Sequence, residues 1–160
     1  MTPFFMLVKT KDIKNDKYFK SCFEKLLATR KVDINAPDQF GCSAFWHFYI
    51  NNRIDEAFYL VDKGANINHI DNYGTFALKR ELFAYNIEMM KRLLNKGANP
   101  DQPDEFGRTA LHLACNLTHR RDMTEVLKLL IQFNSELNSL DFKKRTPLHY
   151  VFIPKNKRFE

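Results

Sequence analysis

Three glycines, Gly41, Gly74 and Gly107, stand 33 residues apart, each in the same setting: Asp38-Gln39-Phe40-Gly41, Asp71-Asn72-Tyr73-Gly74 and Asp104-Glu105-Phe106-Gly107. A second series keeps the interval, Lys63-Gly64-Ala65-Asn66 and Lys96-Gly97-Ala98-Asn99. A third follows two of the turns, Thr109-Ala110-Leu111-His112 and Thr146-Pro147-Leu148-His149. Such a period marks a unit that cannot bury its apolar face alone and must stack on copies of itself. Architecture is therefore constrained before any local reading.

The local chemistry agrees. Thr109 before Ala110, and Thr146 before Pro147, are N-caps followed by a first-turn residue, which starts a helix. Ile87, Met90, Leu93 and Leu94, and likewise Val126, Leu127, Leu130 and Ile131, recur at helical spacing. Gly64, Gly97 and Asn134 tolerate the left-handed conformation that ends such helices. Asp-x-x-Gly between units is turn chemistry. The predicted order is helix, short loop, helix, hairpin, repeated.

These motifs resemble the ankyrin repeat, whose signature is T-P-L-H-x-A. The resemblance runs from Thr2, where Thr2-Pro3-Phe4-Phe5-Met6-Leu7 fills the signature slot, to about Phe152. It implies an all-α solenoid of stacked helix-turn-helix units with hairpin loops. The expected organisation is a single domain over 1–160, with repeats at approximately 2–35, 36–68, 69–101, 102–138 and a partial one at 139–160. Gly97 to Asn134 spans 37 residues, which places an insertion around His119–Asp122 between the two helices of the fourth repeat.

The resemblance also implies that the threonine and histidine of T-x-x-H bond to each other, making His112 and His149 structural. The second repeat carries Ser43 and Trp46 in those slots and the third Phe76 and Lys79, so apolar packing is expected to hold these two units instead. Glu81 falls where a small residue usually packs. It is expected to reach Lys79, Arg80 or solvent, the alternative being a rotated helix.

Composition bounds the function. Of 160 residues, 44% are hydrophobic and 28% charged, with a net charge of +6, a balance that favours folding over disorder. No apolar run reaches the ~18 residues of a membrane span, and the amino-terminal stretch lacks the form of a secretory signal. A cytoplasmic or nuclear protein with no membrane partner is expected. Charge is uneven, +5 over 1–31, −3 over 32–140 and +4 over 141–160. Basic ends without a clustered face argue against nucleic acid as the principal partner.

Cys22, Cys42 and Cys115 show no pairing or metal-ligand spacing, and they are expected as reduced, buried thiols. Nucleophile elbow, phosphate loop, metalloprotease and dinucleotide motifs are all lacking. Cys42 and His47 could be imagined as a thiol and its base, but the sequence supplies no third orienting group. No catalytic residue, cofactor or metal is expected. Asn116-Leu117-Thr118 matches a glycosylation acceptor that carries no weight without a secretory route.

The expected function is non-catalytic binding of a partner protein or peptide. In the ankyrin family, recognition uses the residues flanking the hairpin glycine and those near the end of each first helix. On this chain the candidate partner-binding residues are Phe40, Ile50, Tyr73, Phe83, Phe106, Arg108, Leu117, Lys143 and Arg145. Grouped aromatic and arginine side chains are common hot spots. Alternatives are the substrate-recruiting end of a larger enzyme or ubiquitin ligase, a small viral or regulatory mimic of ankyrin inhibitors of Rel-type transcription factors, and nucleic-acid contact through the basic ends. The incomplete last repeat adds the expectation of end-to-end self-association.

Overall fold

The computed structural model describes residues 16–29 and 32–152, so Thr2–Leu7, Ile153, Pro154 and the basic Lys155–Arg158 segment lie outside the described residues. The described residues are helical and fall into two compact units, one within 1–72 and the other within 73–160. Neither contains a strand among those residues.

The first unit holds α1 (Asp16–Ala28), α2 (Ala44–Ile50) and α3 (Ile54–Asp62). Ser43 caps α2 by accepting from the Trp46 amide, in an extended conformation suited to that position. The core is aromatic. Phe23 of α1 meets Tyr59 of α3 edge-on, and Tyr49 stacks on both Phe45 and Trp46. Glu24 accepts from the Tyr59 hydroxyl and from Lys63, tying the surface of α1 to the end of α3.

The second unit holds α4 (Ala77–Ala84), α5 (Ile87–Asn95), α6 (Ala110–Leu117), α7 (Thr124–Gln132) and α8 (Pro147–Phe152). Its core joins Phe76, Leu78, Leu82, Met90 and Leu94 to Leu111, Leu113, Met123, Val126 and Leu130. The stripe expected on α5 is buried at Met90, Leu93 and Leu94. On α7 the expected Val126 and Leu130 are buried, Leu129 joins them, and Ile131 is exposed. The loop before α7 is the insertion: residues 118–123 separate α6 from α7, against 85–86 between α4 and α5.

The helices end as expected, with Gly64, Gly97 and Asn134 at φ +98°, +92° and +58°. Glu81 is 6% exposed, accepts from Asn86 Nδ2 at 2.9 Å and lies 3.4 Å from Arg80. It therefore reaches one of its expected partners. Asn86 is also the N-cap of α5, so the buried carboxylate helps fix the turn between α4 and α5.

Candidate functional site

The site is built on the hairpins, and those at Asp38, Asp104 and Asp141 are organised by their aspartates. Asp104 Oδ1 accepts from the Phe106 and Arg108 amides, both at 2.9 Å, while Oδ2 accepts from Arg108 Nε at 2.9 Å and faces Arg108 Nη2 at 2.8 Å. Asp141 repeats the pattern with Lys143 and Arg145, and adds the Tyr150 hydroxyl at 2.6 Å. Burial opposes ionisation of both carboxyls. The hydrogen bonds outweigh it, leading with Arg108 for Asp104, and with Tyr150 for Asp141, which is held down at about 2. Two arginines are thereby fixed at the hairpin tips, Arg108 over the Phe106 ring and Arg145 over the Tyr150 ring.

The helix starts correct one expectation. Thr109 and His112 form the reciprocal capping box, with His112 Nδ1 accepting from the Thr109 amide and Nε2 lying 3.0 Å from the Arg145 carbonyl of the next repeat. Thr146 and His149 pair in the same way. In the second and third repeats the slot residue was expected to leave holding to apolar packing, yet the polar tie is kept with other chemistry. Trp46 Nε1 donates to Asp71 at 3.2 Å, and Lys79 Nζ donates to the Gly74 carbonyl at 2.9 Å and to Glu105 at 2.8 Å. Both are long side chains with a donor at the tip, so they span the distance that the imidazole covers in the fourth repeat.

A second correction concerns Cys42 and His47. A third group is present after all: Asp38 Oδ2 lies 2.8 Å from His47 Nε2, and one ligand atom from each of Asp38, Cys42 and His47 falls within 4.8 Å of the others. The chemistry of the trio argues against a nucleophile or a thiolate ligand. Burial, then the Asp38 and Asp71 carboxylates, push the Cys42 thiol up to about 11, so it is protonated at neutral pH and bonds the Phe40 carbonyl. The trio occupies the places of Asp141, Arg145 and Tyr150, and serves as the corresponding hairpin tie. His69 adds a further tie within this unit, its Nε2 accepting from the Ser43 amide in one tautomer or donating to the Gly41 carbonyl in the other. Cys115 is buried as expected, whereas Cys22 is exposed because it lies on the outer side of α1. Asn116 is buried inside α6, which by itself excludes it as a glycosylation acceptor.

Within the second unit the hairpin tips and helix ends enclose a cavity of about 400 Å³. Phe83, Leu113 and Leu117 line it from the helices, and Phe106 and Phe142 from the hairpins. Its polar lining is Arg108, Asn116, His119, Arg120, Lys143 and Arg145. A model of the ankyrin-repeat family matches residues 81–153 in three copies, the stretch that carries this cavity.

Residues 81–153 carry ankyrin repeats. No match to the chain was found among curated proteins. Ankyrin repeats are in general protein-binding modules and generally non-catalytic. Of the positions singled out from the ankyrin resemblance, Phe83, Phe106, Arg108, Leu117, Lys143 and Arg145 all line the cavity. Tyr73 does not line it, and Phe40 and Ile50 belong to the first unit. Phe40, Tyr73 and Phe106 are 50%, 73% and 54% exposed, so none is a core residue. Asn116, near the end of a first helix, and Phe142, on a hairpin, are positions of the kind the resemblance implies and also line it, and Leu113, His119 and Arg120 join without having been singled out. The signal for the last two was the insertion itself, which carries them to the rim. No helix among the described residues is long and apolar enough to cross a membrane.

Proposed function

We propose that residues 1–160 act as one ankyrin-repeat domain that binds a partner protein or peptide through its hairpin tips and first-helix ends, without catalysis. The observation that carries this reading is the convergence of Phe83, Phe106, Leu117, Arg108, Lys143 and Arg145 on one cavity. Concave sites with apolar walls and a few placed polar groups are the usual ligand sites of proteins. Arg108 and Arg145 are held by buried carboxylates, which lowers the ordering cost of using them in an interface.

Packing alone does not account for the aromatic tips. Truncating an exposed aromatic residue generally changes stability by no more than about half a kcal/mol, whereas truncating an interface hot spot costs ~2 kcal/mol or more of binding. The test is affinity capture from native lysate with wild type, a Phe83→Ala/Phe106→Ala variant and a Phe40→Ala/Tyr73→Ala variant. The expected result is a partner retained by wild type and lost from the first variant, whose unfolding midpoint stays close to that of wild type. The same proteins held equally by all three would overturn the reading.

A further inference from the structure

We infer that the cavity of the second unit receives one bulky apolar side chain from an acidic peptide segment, which also gives a hydrogen-bond donor to Asn116 Oδ1. This rests on the protein-binding reading above and names the chemistry of its partner. Asn116 is 7% exposed, lines the cavity, and its Oδ1 is buried without a hydrogen-bond partner. A buried acceptor left unmade costs about 1–3 kcal/mol. Folding gives no reason for the residue: Asn116 is the seventh residue of α6, and the seventh residues of α2 and α4 are Ile50 and Phe83, neither of which carries a polar atom to satisfy. An amide N–H from an incoming extended chain, or an indole N–H on the inserted side chain, meets the need once the Asn116 amide turns its buried oxygen toward the cavity.

Charge sets the rest of the partner's chemistry. Four cationic side chains, Arg108, Arg120, Lys143 and Arg145, line the cavity, and no carboxylate does. Asp104 and Asp141 are buried and do not line it, Asp104 being committed to Arg108 and Lys79 and Asp141 to Arg145 and Tyr150. An incoming segment therefore meets a positive rim around apolar walls, which an acidic segment with one bulky apolar residue complements. Phosphate recognition fits less well. Arg108 gives Nε and Nη2 to Asp104, and Arg145 gives Nε to Asp141 and Nη2 to Tyr150, so the Nε/Nη2 edge of each guanidinium, one of its two bidentate faces, is already taken.

The experiment selects a displayed library of random short peptides against the full chain, then measures the winners by fluorescence anisotropy. Acidic sequences with one bulky apolar residue are expected, with affinity falling as salt rises. Replacing that residue by alanine, or changing the protein by Asn116→Leu, is expected to weaken binding roughly tenfold. Asn116→Leu removes the orphan acceptor, so its unfolding midpoint is expected to hold or rise. Arg120→Glu, an exposed change, is expected to weaken binding and flatten the salt dependence.

Peptides that bind Asn116→Leu as tightly as wild type would overturn the assigned role of that side chain. Basic or uncharged winners that still lose affinity with Leu117→Ala would overturn the acidic chemistry while leaving the protein-binding reading standing. Winners indifferent to every cavity variant, or none at all, would remove both. A single-stranded oligonucleotide displacing the peptides, with no dependence on an apolar residue, would replace the peptide by nucleic acid.

Discussion

The hairpin at Asp38 and the hairpin at Asp104 solve one problem with different residues. In both, the aspartate Oδ1 caps two amides of its own turn. At Asp104, Oδ2 faces a guanidinium held within the same turn and the Lys79 ammonium at 3.4 Å, and the carboxylate side chain is fully buried. At Asp38 the partner is the His47 ring, Cys42 stands where the arginine would be, and the side chain keeps some exposure. The helix starts diverge in parallel, with Thr109 and His112 in one and Ser43 and Trp46 in the other. The family model matches the stretch that holds the signature residues, while the hairpin at Asp38, outside that stretch, keeps the aspartate caps with substitute partners. Geometry at these junctions asks for a donor of the right reach, and several side chains qualify.

If that comparison holds, Asp104→Ala costs about 3 kcal/mol or more in urea unfolding, because Arg108 is left as a largely buried charge without its carboxylate. Asp38→Ala is expected to cost about 1–2 kcal/mol, the value of lost caps and a bond to an imidazole. Equal losses would break the comparison.

Gly107 and Gly64 test the hairpin against the helix end. Gly107 sits at φ +77°, and a Cβ there would lie 2.6 Å from the Phe142 ring and 3.0 Å from its backbone nitrogen. Gly64 at φ +98° has nothing within 4 Å of that point. Gly107→Ala is expected to lose roughly 2–3 kcal/mol and Gly64→Ala about 1 kcal/mol, the strain of a left-handed alanine alone. Matching unfolding midpoints would mean that the approach of Phe142 is relieved at no cost.

Acid sharpens the difference next. Burial holds His112 below its ordinary 6.5 in the folded chain, against the pull of the Arg145 carbonyl and nearby carboxylates. As pH falls below 6.5, the unfolded chain takes up this proton first, so stability complete above that value declines below it. Asp141 adds a later loss as pH falls from 3.8 to about 2, since its carboxylate is favoured by folding. His112→Gln is expected to flatten the first decline and leave the second, read as urea midpoint against pH. An unchanged first decline would place that titration elsewhere.

The smallest effect is a gain. Lys144 occupies the place of the hairpin glycines and sits at φ +60°. Lys144→Gly relieves that strain but loosens the unfolded chain, for a net stabilisation of roughly 0.5 kcal/mol. A loss would show that the lysine side chain contributes more than its backbone conformation costs.

Much of the fold was legible because its signals are local. Turn aspartates, caps, left-handed helix ends and the insertion are each written within a few residues. The junction donors were not, since Trp46 meets Asp71 and Lys79 meets Glu105 across 25 and 26 residues, a separation at which periodicity is silent. The ankyrin resemblance pointed to the hairpin and helix-end residues of the cavity but not to Asn116 as an acceptor, because only burial reveals that its oxygen has no partner.

Trp46, Lys79 and His112 each place their donor on the hairpin that follows, and the acceptors differ: a carboxylate at Asp71, a carboxylate at Glu105, a carbonyl at Arg145. A repeat copied whole into another position would carry its donor to a hairpin shaped for a different one. The unit that can be transplanted in this chain is therefore the seam, a first helix together with the next hairpin, and not the 33-residue repeat that the eye picks out.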